Sequence, residues 1–189
     1  MTHRMISVAA AFLFSGMADA HTFGAPGAGF AEGLAHPFMG IDHLLAMMAV
    51  GVWAVQVGGR GIWQIPAVFM LMMTAGAGLA YLGLNLPYGE AAILLSVIGL
   101  GLMVATSANL SRGLGVWLVG LFALFHGHAH GLEMPEAGAP LAYAGGFLLA
   151  TLCLHLLGVG LGYTGRGMMM ALRLGGVAMA ATGVYWLTS

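Results

Sequence analysis

Apolar residues fill six stretches of this chain, at about 36–57, 63–85, 89–110, 114–131, 140–163 and 167–187, with short polar or glycine-rich turns between them. Each stretch is close to the roughly 20 residues that a helix needs to cross a hydrocarbon core. The pattern predicts an all-α integral membrane protein with six transmembrane helices in a single domain over 21–189. Three helices fall in 36–110 and three in 114–187, and an odd number per half makes the two halves enter the membrane from opposite sides. That is the arithmetic of two inverted three-helix repeats. Sequence similarity between the halves is faint, so the repeat is an expectation from topology alone.

The polar positions orient the bundle. Arg60, Arg112 and Arg166 stand in alternate turns and Arg173 lies a little further along the last helix, whereas Glu32, Asp42, Glu90, Glu133 and Glu136 fall at the opposite ends. The positive-inside tendency places the arginine turns in the cytoplasm and the acidic ends outside. Ahead of the first span, residues 1–20 carry Arg4, a short apolar run from Ile6 to about Met17, and then Ala18, Asp19 and Ala20. This reads as a cleavable secretory signal peptide. Cleavage after Ala20 would make His21 the mature N-terminus, on the exported side, where its amine and imidazole together can chelate a cation. A retained first helix is the alternative reading, and it leaves the remaining topology unchanged.

Composition narrows the function classes. Of 189 residues 60% are hydrophobic and 6% charged, against about one quarter charged in soluble domains. All five basic residues are arginines, and the formal net charge is -1. No basic face exists to release counterions from nucleic acid, so nucleic acid is excluded as a partner. The single cysteine, Cys153, provides neither an internal disulfide nor a thiolate cluster. The 32 glycines suit close packing of helices in lipid. The 15 methionines raise copper(I), for which thioethers are ligands, but Met168, Met169 and Met170 read as lipid-facing or packing residues.

Two polar constellations stand out against this background. In "HPFMGIDHLLAMM" His36 precedes Pro37, a residue suited to the first helical turn. His43 follows His36 by seven residues, which on one continuous helix puts both on one face with His43 about 10 Å deeper. Asp42 adjoins His43. In "FHGHAHGLEMPE" His126, His130 and Glu133 share a face at i, i+4 and i+7, while His128 points elsewhere unless Gly127 or Gly131 distorts the helix. The first helix begins and the fourth ends on the same side of the membrane, so the two constellations can face each other as walls of one metal-binding vestibule. Ionisable groups inside a span are costly and usually functional. A helix-capping histidine and a structural Asp-His hydrogen bond are the plain alternative. Imidazole and carboxylate donors suit nickel, cobalt, zinc or copper(II) without choosing among them.

Three further residues are weaker candidates. His21 belongs with the signal-cleavage reading above. Glu90, at the acidic start of the third helix, would attract a cation or simply be an exposed interfacial acid. His155 lies about 22 Å along the fifth helix, near Cys153, and reads equally as an inner relay site or as a hydrogen-bonded packing histidine.

With these residues in place the chain resembles the HupE/UreJ nickel permeases. The family pattern His-x5-Asp-His is met by His36, Asp42 and His43, and Phe-His-Gly-x-Ala-His-Gly-x-Glu is met by the run from Phe125 to Glu133. The resemblance covers nearly the whole chain and implies a bacterial inner-membrane protein that carries Ni²⁺ inward, Co²⁺ staying open, to supply a nickel-iron hydrogenase or urease. Nickel is then cargo rather than a resident cofactor, and the chain is not an enzyme. Two other classes stay in view: an intramembrane metal-dependent hydrolase with Glu133 as base, and a metal-binding sensor or accessory protein without transport. A homo-oligomer is left open.

Overall fold

The computed structural model describes residues 29–134 and 140–189, and among these there is no strand. The signal-peptide reading, His21 and Glu136 lie outside the described residues. Among the described residues seven α-helices follow one another: α1 (Phe30–Ala35), α2 (Ile41–Val57), α3 (Gly61–Tyr81), α4 (Gly89–Thr106), α5 (Arg112–Leu132), α6 (Pro140–Thr164) and α7 (Met169–Thr188). Each of the six apolar stretches holds one long helix. Four of them, α3, α4, α6 and α7, are long and apolar enough to cross a membrane, and α1 with α2 forms a fifth candidate that is sharply bent. The chain is a multi-pass helical membrane protein by these spans.

The bend corrects one expectation. His36 to Phe38 form a 3-10 turn after α1, and Gly40 is extended at φ -98° and ψ 119°. This breaks the backbone hydrogen-bond ladder, and the leg 30–38 meets α2 at 82°. His36 and His43 therefore do not share a helix face. They reach the same place from two helices, because α1 lies against the start of α6, where Gly33 meets the Tyr143 backbone and Gly146 meets the Phe30 carbonyl.

At the other end of the bundle are the short turns that carry the arginines. Three donors there bond carbonyls at or just past the end of α4, where the regular intrahelical partners run out. Arg173 Nε donates to Ala105 at 2.7 Å, Gln56 Nε2 to Val104 at 3.1 Å and Trp53 Nε1 to Ala108 at 3.3 Å. Ser111 opens α5, its Oγ accepting the Leu114 N–H. Between this end and the histidines, Val50, Trp53, Val97, Leu100 and Val119 form an almost solvent-free apolar layer.

Close backbone contacts explain how the helices pair. A Cβ on Gly51 of α2 would strike the His155 carbonyl of α6, and one on Gly158 would strike the Met48 carbonyl. The same arrangement recurs between α5 and α3, where Gly127 faces the Met73 carbonyl and Gly76 the Leu124 carbonyl. The spacing is three residues in every case: Met48 to Gly51, Leu124 to Gly127, His155 to Gly158 and Met73 to Gly76. Helices α4 and α7 meet reciprocally through Gly101 and Gly176. Exchanging α2, α3 and α4 for α5, α6 and α7 turns the α2–α6 pairing into the α3–α5 one and returns the α4–α7 pairing to itself.

These contacts make a stability contrast. Gly127→Ala should destabilise the folded bundle by about 1–3 kcal/mol, the usual cost of overpacking. Gly78→Ala, with open space around the added methyl, should be neutral or stabilise by about 0.5–1 kcal/mol through helix propensity. Unfolding midpoints in detergent check both, and equal midpoints for the two variants would contradict the packing account.

Candidate metal site

The two constellations meet at the end of the bundle opposite the arginines. α5 delivers His126 and His130 one turn apart, and Glu133 follows as its C-terminal cap. α2 delivers Asp42 in its first turn, where a carboxylate is favoured by the helix dipole, and His43 beside it. The bend before α2 swings His36 over the top. Ring centroids lie 4.0 Å apart for His43 and His130, 4.9 Å for His36 and His130, and 5.2 Å for His43 and His126.

Three donor atoms form a closed triangle. His36 Nε2 is 3.0 Å from His130 Nδ1 and 3.1 Å from Glu133 Oε2, and His130 Nδ1 is 3.3 Å from the same oxygen. Each imidazole nitrogen carries at most one hydrogen and an ionised carboxylate carries none, so protons cannot bridge all three edges. One edge is always repulsive. A cation at the centre removes that conflict: bonds of about 2.1 Å separate neighbouring donors by about 3.0 Å at octahedral angles and about 3.4 Å at tetrahedral ones. The triangle has the dimensions of three ligands on one ion, and these three residues form a group whose donor atoms lie within 4.8 Å of one another.

Beneath the triangle sit His43 and His126, which share one electronic arrangement. His43 Nδ1–H donates to Asp42 Oδ1 at 2.8 Å, and His126 Nδ1–H donates to the Phe122 carbonyl at 3.1 Å, with Ser96 Oγ at 3.3 Å. In both rings the bond at Nδ1 leaves the lone pair on Nε2, the form in which histidine binds metals, and a carboxylate or carbonyl behind the ring is the usual support. Both Nε2 atoms, and that of His130, are buried without a hydrogen-bond partner among the described residues. Such groups are costly to bury unless something binds them.

Glu133 supplies the charge at the mouth. Burial alone would raise its pKa, but the hydrogen bonds from His130 and His36 outweigh that and hold its carboxyl well below the usual carboxylate range. It therefore stays ionised through the histidine range of pH.

Other expected residues sit elsewhere. His128 is buried but faces away from the cluster, its Nε2 lying 2.8 Å from the Leu84 carbonyl and 3.1 Å from the Leu86 N–H, so it ties down the α3–α4 connection. On a regular helix residues two positions apart lie about 200° round the axis, so His128 points away from both His126 and His130, and neither Gly127 nor Gly131 interrupts α5. Glu90 is exposed in the first turn of α4. His155 is buried deeper, against Met47 and Phe69. The sequence reading missed Ser96, behind His126, and the stacked pair Tyr143 and Phe147, whose rings approach His36 to 5.8 and 5.7 Å. Their i, i+4 spacing at the start of α6 was the available signal.

The profile of the HupE / UreJ protein family matches residues 9–186. The chain belongs to the HupE/UreJ family. It is also 41% identical over 182 residues to Protein HupE of Rhizobium leguminosarum bv. viciae, with 95% of each chain covered. No solved structure matches. The two motifs of this HupE/UreJ protein are thus the two walls of the cluster described above.

Metal titration of the purified protein tests the geometry. His130→Ala should weaken divalent-ion binding by roughly 10-fold or more, whereas His128→Ala should leave affinity near wild type. Affinity should fall as pH drops from about 7 to about 5, because protons compete for neutral imidazole. Glu133→Gln should lower affinity and move that midpoint to lower pH, because the carboxylate that favours protonation of the adjoining imidazoles is gone. Unchanged affinity and an unmoved midpoint would take Glu133 out of the ligand set.

Proposed function

We propose that this protein is a secondary permease that imports Ni²⁺, and Co²⁺ by the same chemistry, across the bacterial inner membrane to supply a nickel enzyme. The observation that carries the reading is the triangle of His36, His130 and Glu133 above the unpartnered Nε2 atoms of His43 and His126. Donors arranged in two tiers suit capture followed by transfer, and nitrogen-rich sites with one carboxylate suit nickel and cobalt. Glu133 and His36 take the ion at the periplasmic mouth, His130 belongs to both tiers, and Asp42 orients His43 below. The reading has no catalytic step in it.

Driving force is available from the membrane potential alone. A divalent cation entering an inside-negative cell gains about 4.6 kcal/mol per 100 mV, twice the value for a single charge. The apolar layer of Val50, Trp53, Val97, Leu100 and Val119 closes the route below the cluster, so release needs a rearrangement. The exchange relation between α2, α3, α4 and α5, α6, α7 supports six spans in two inverted repeats, and such repeats open alternately by rocking one half against the other. The arginine turns then face the cytoplasm.

Uptake by proteoliposomes under an imposed inside-negative potential tests this. Wild type should show saturable nickel uptake, and Asp42→Ala should reduce it by roughly 10-fold or more while the protein remains inserted. Nickel bound at the outer face, with flux no greater than in empty liposomes, would make the cluster a receptor and end the permease reading.

A further inference from the structure

His155 is completely buried on α6, and its surroundings are built rather than incidental. The close approach of Gly51 to the His155 backbone brings α2 and α6 together, and His155 Nδ1–H donates to the Met47 carbonyl at 2.8 Å. That bond fixes the tautomer and leaves the lone pair on Nε2. The atom has no partner among the described residues, and neither does Oγ1 of Thr151, which is fully buried one turn earlier on the same face of α6. A packing histidine needs only the Met47 bond. Two unpartnered buried polar atoms on one helix face, each costly to desolvate, leave room for a polar ligand.

Position identifies that ligand. Met47 lies one turn along α2 from His43, so His155 is one turn further from the mouth than the lower tier of the cluster. Phe69, also fully buried, touches both levels, its ring 6.0 Å from His126 and 5.0 Å from His155. We propose that His155 Nε2 and Thr151 Oγ1 form an inner transit station for the divalent cation, separated from the outer cluster by the Phe69 ring. One imidazole and one hydroxyl, without a carboxylate, make a weak site that a partly hydrated ion can leave. Conduction needs successive sites of that kind, because a full ligand set would trap the ion.

This inference rests on the permease reading, and the test separates the two. In proteoliposomes, His155→Gln should cut nickel flux roughly 10-fold or more, while equilibrium nickel affinity of the purified protein stays within about twofold of wild type, because the outer donors are untouched. His155→Cys should restore flux with an altered ion ranking, favouring Cd²⁺ over Ni²⁺, since thiolate is the softer ligand; a merely structural residue would not move that ranking. Undiminished flux in His155→Gln would overturn the station and leave the permease reading standing. Joint loss of flux and outer affinity in that variant would make His155 a packing residue. Absence of flux in wild type would remove the permease reading and the station together.

Discussion

Imidazoles inside an apolar helical bundle must have both ring nitrogens accounted for, and four of the histidines here have one nitrogen bonded and the other left over. For His43, His126 and His155 the bonded atom is Nδ1, held by Asp42, Phe122 and Met47 respectively, and the free atom is Nε2. His130 completes the set from the other direction, its Nδ1 crowded by His36 and Glu133. Buried atoms left unpaired are costly, and the divalent cation proposed above would accept several of these lone pairs at once.

The rest of the fold serves that constraint. Backbone-to-backbone contacts at Gly51, Gly158, Gly76 and Gly127 bring α2 to α6 and α3 to α5 closely enough for rings from different helices to meet. Small residues allow this where lipid offers no hydrophobic drive for helices to associate. The break at Gly40 turns α1 back over the bundle, so that His36 caps a cluster whose lower members come from α2 and α5. The apolar layer beneath separates the cluster from the arginine end of the bundle.

Much of this was legible in the sequence because hydropathy is a strong signal in membrane proteins. All six apolar stretches hold a long helix, and the parity of the spans was enough to bring "HPFMGIDH" and "FHGHAHGLE" to one end. The break inside the first stretch was not legible: Pro37 fits the first turn of a helix as well as a 3-10 turn, and an extended Gly40 depends on the α1–α6 contact far away in the sequence. The role proposed for His155 was equally hidden, since what sets a candidate ligand apart from a packing residue is an atom without a partner, and partners belong to other helices. Glycine count signalled close packing, but only the structure shows which pairs touch and that the pairings exchange between halves.

X-ray absorption at the nickel edge of the loaded protein tests the central claim most directly. The account predicts a nitrogen and oxygen shell at about 2.1 Å, with the multiple scattering of at least two imidazoles, one of them lost in His130→Ala. A shell of oxygens alone, unchanged in that variant, would contradict it, because nickel would then be held as a hydrated ion outside the histidine cluster.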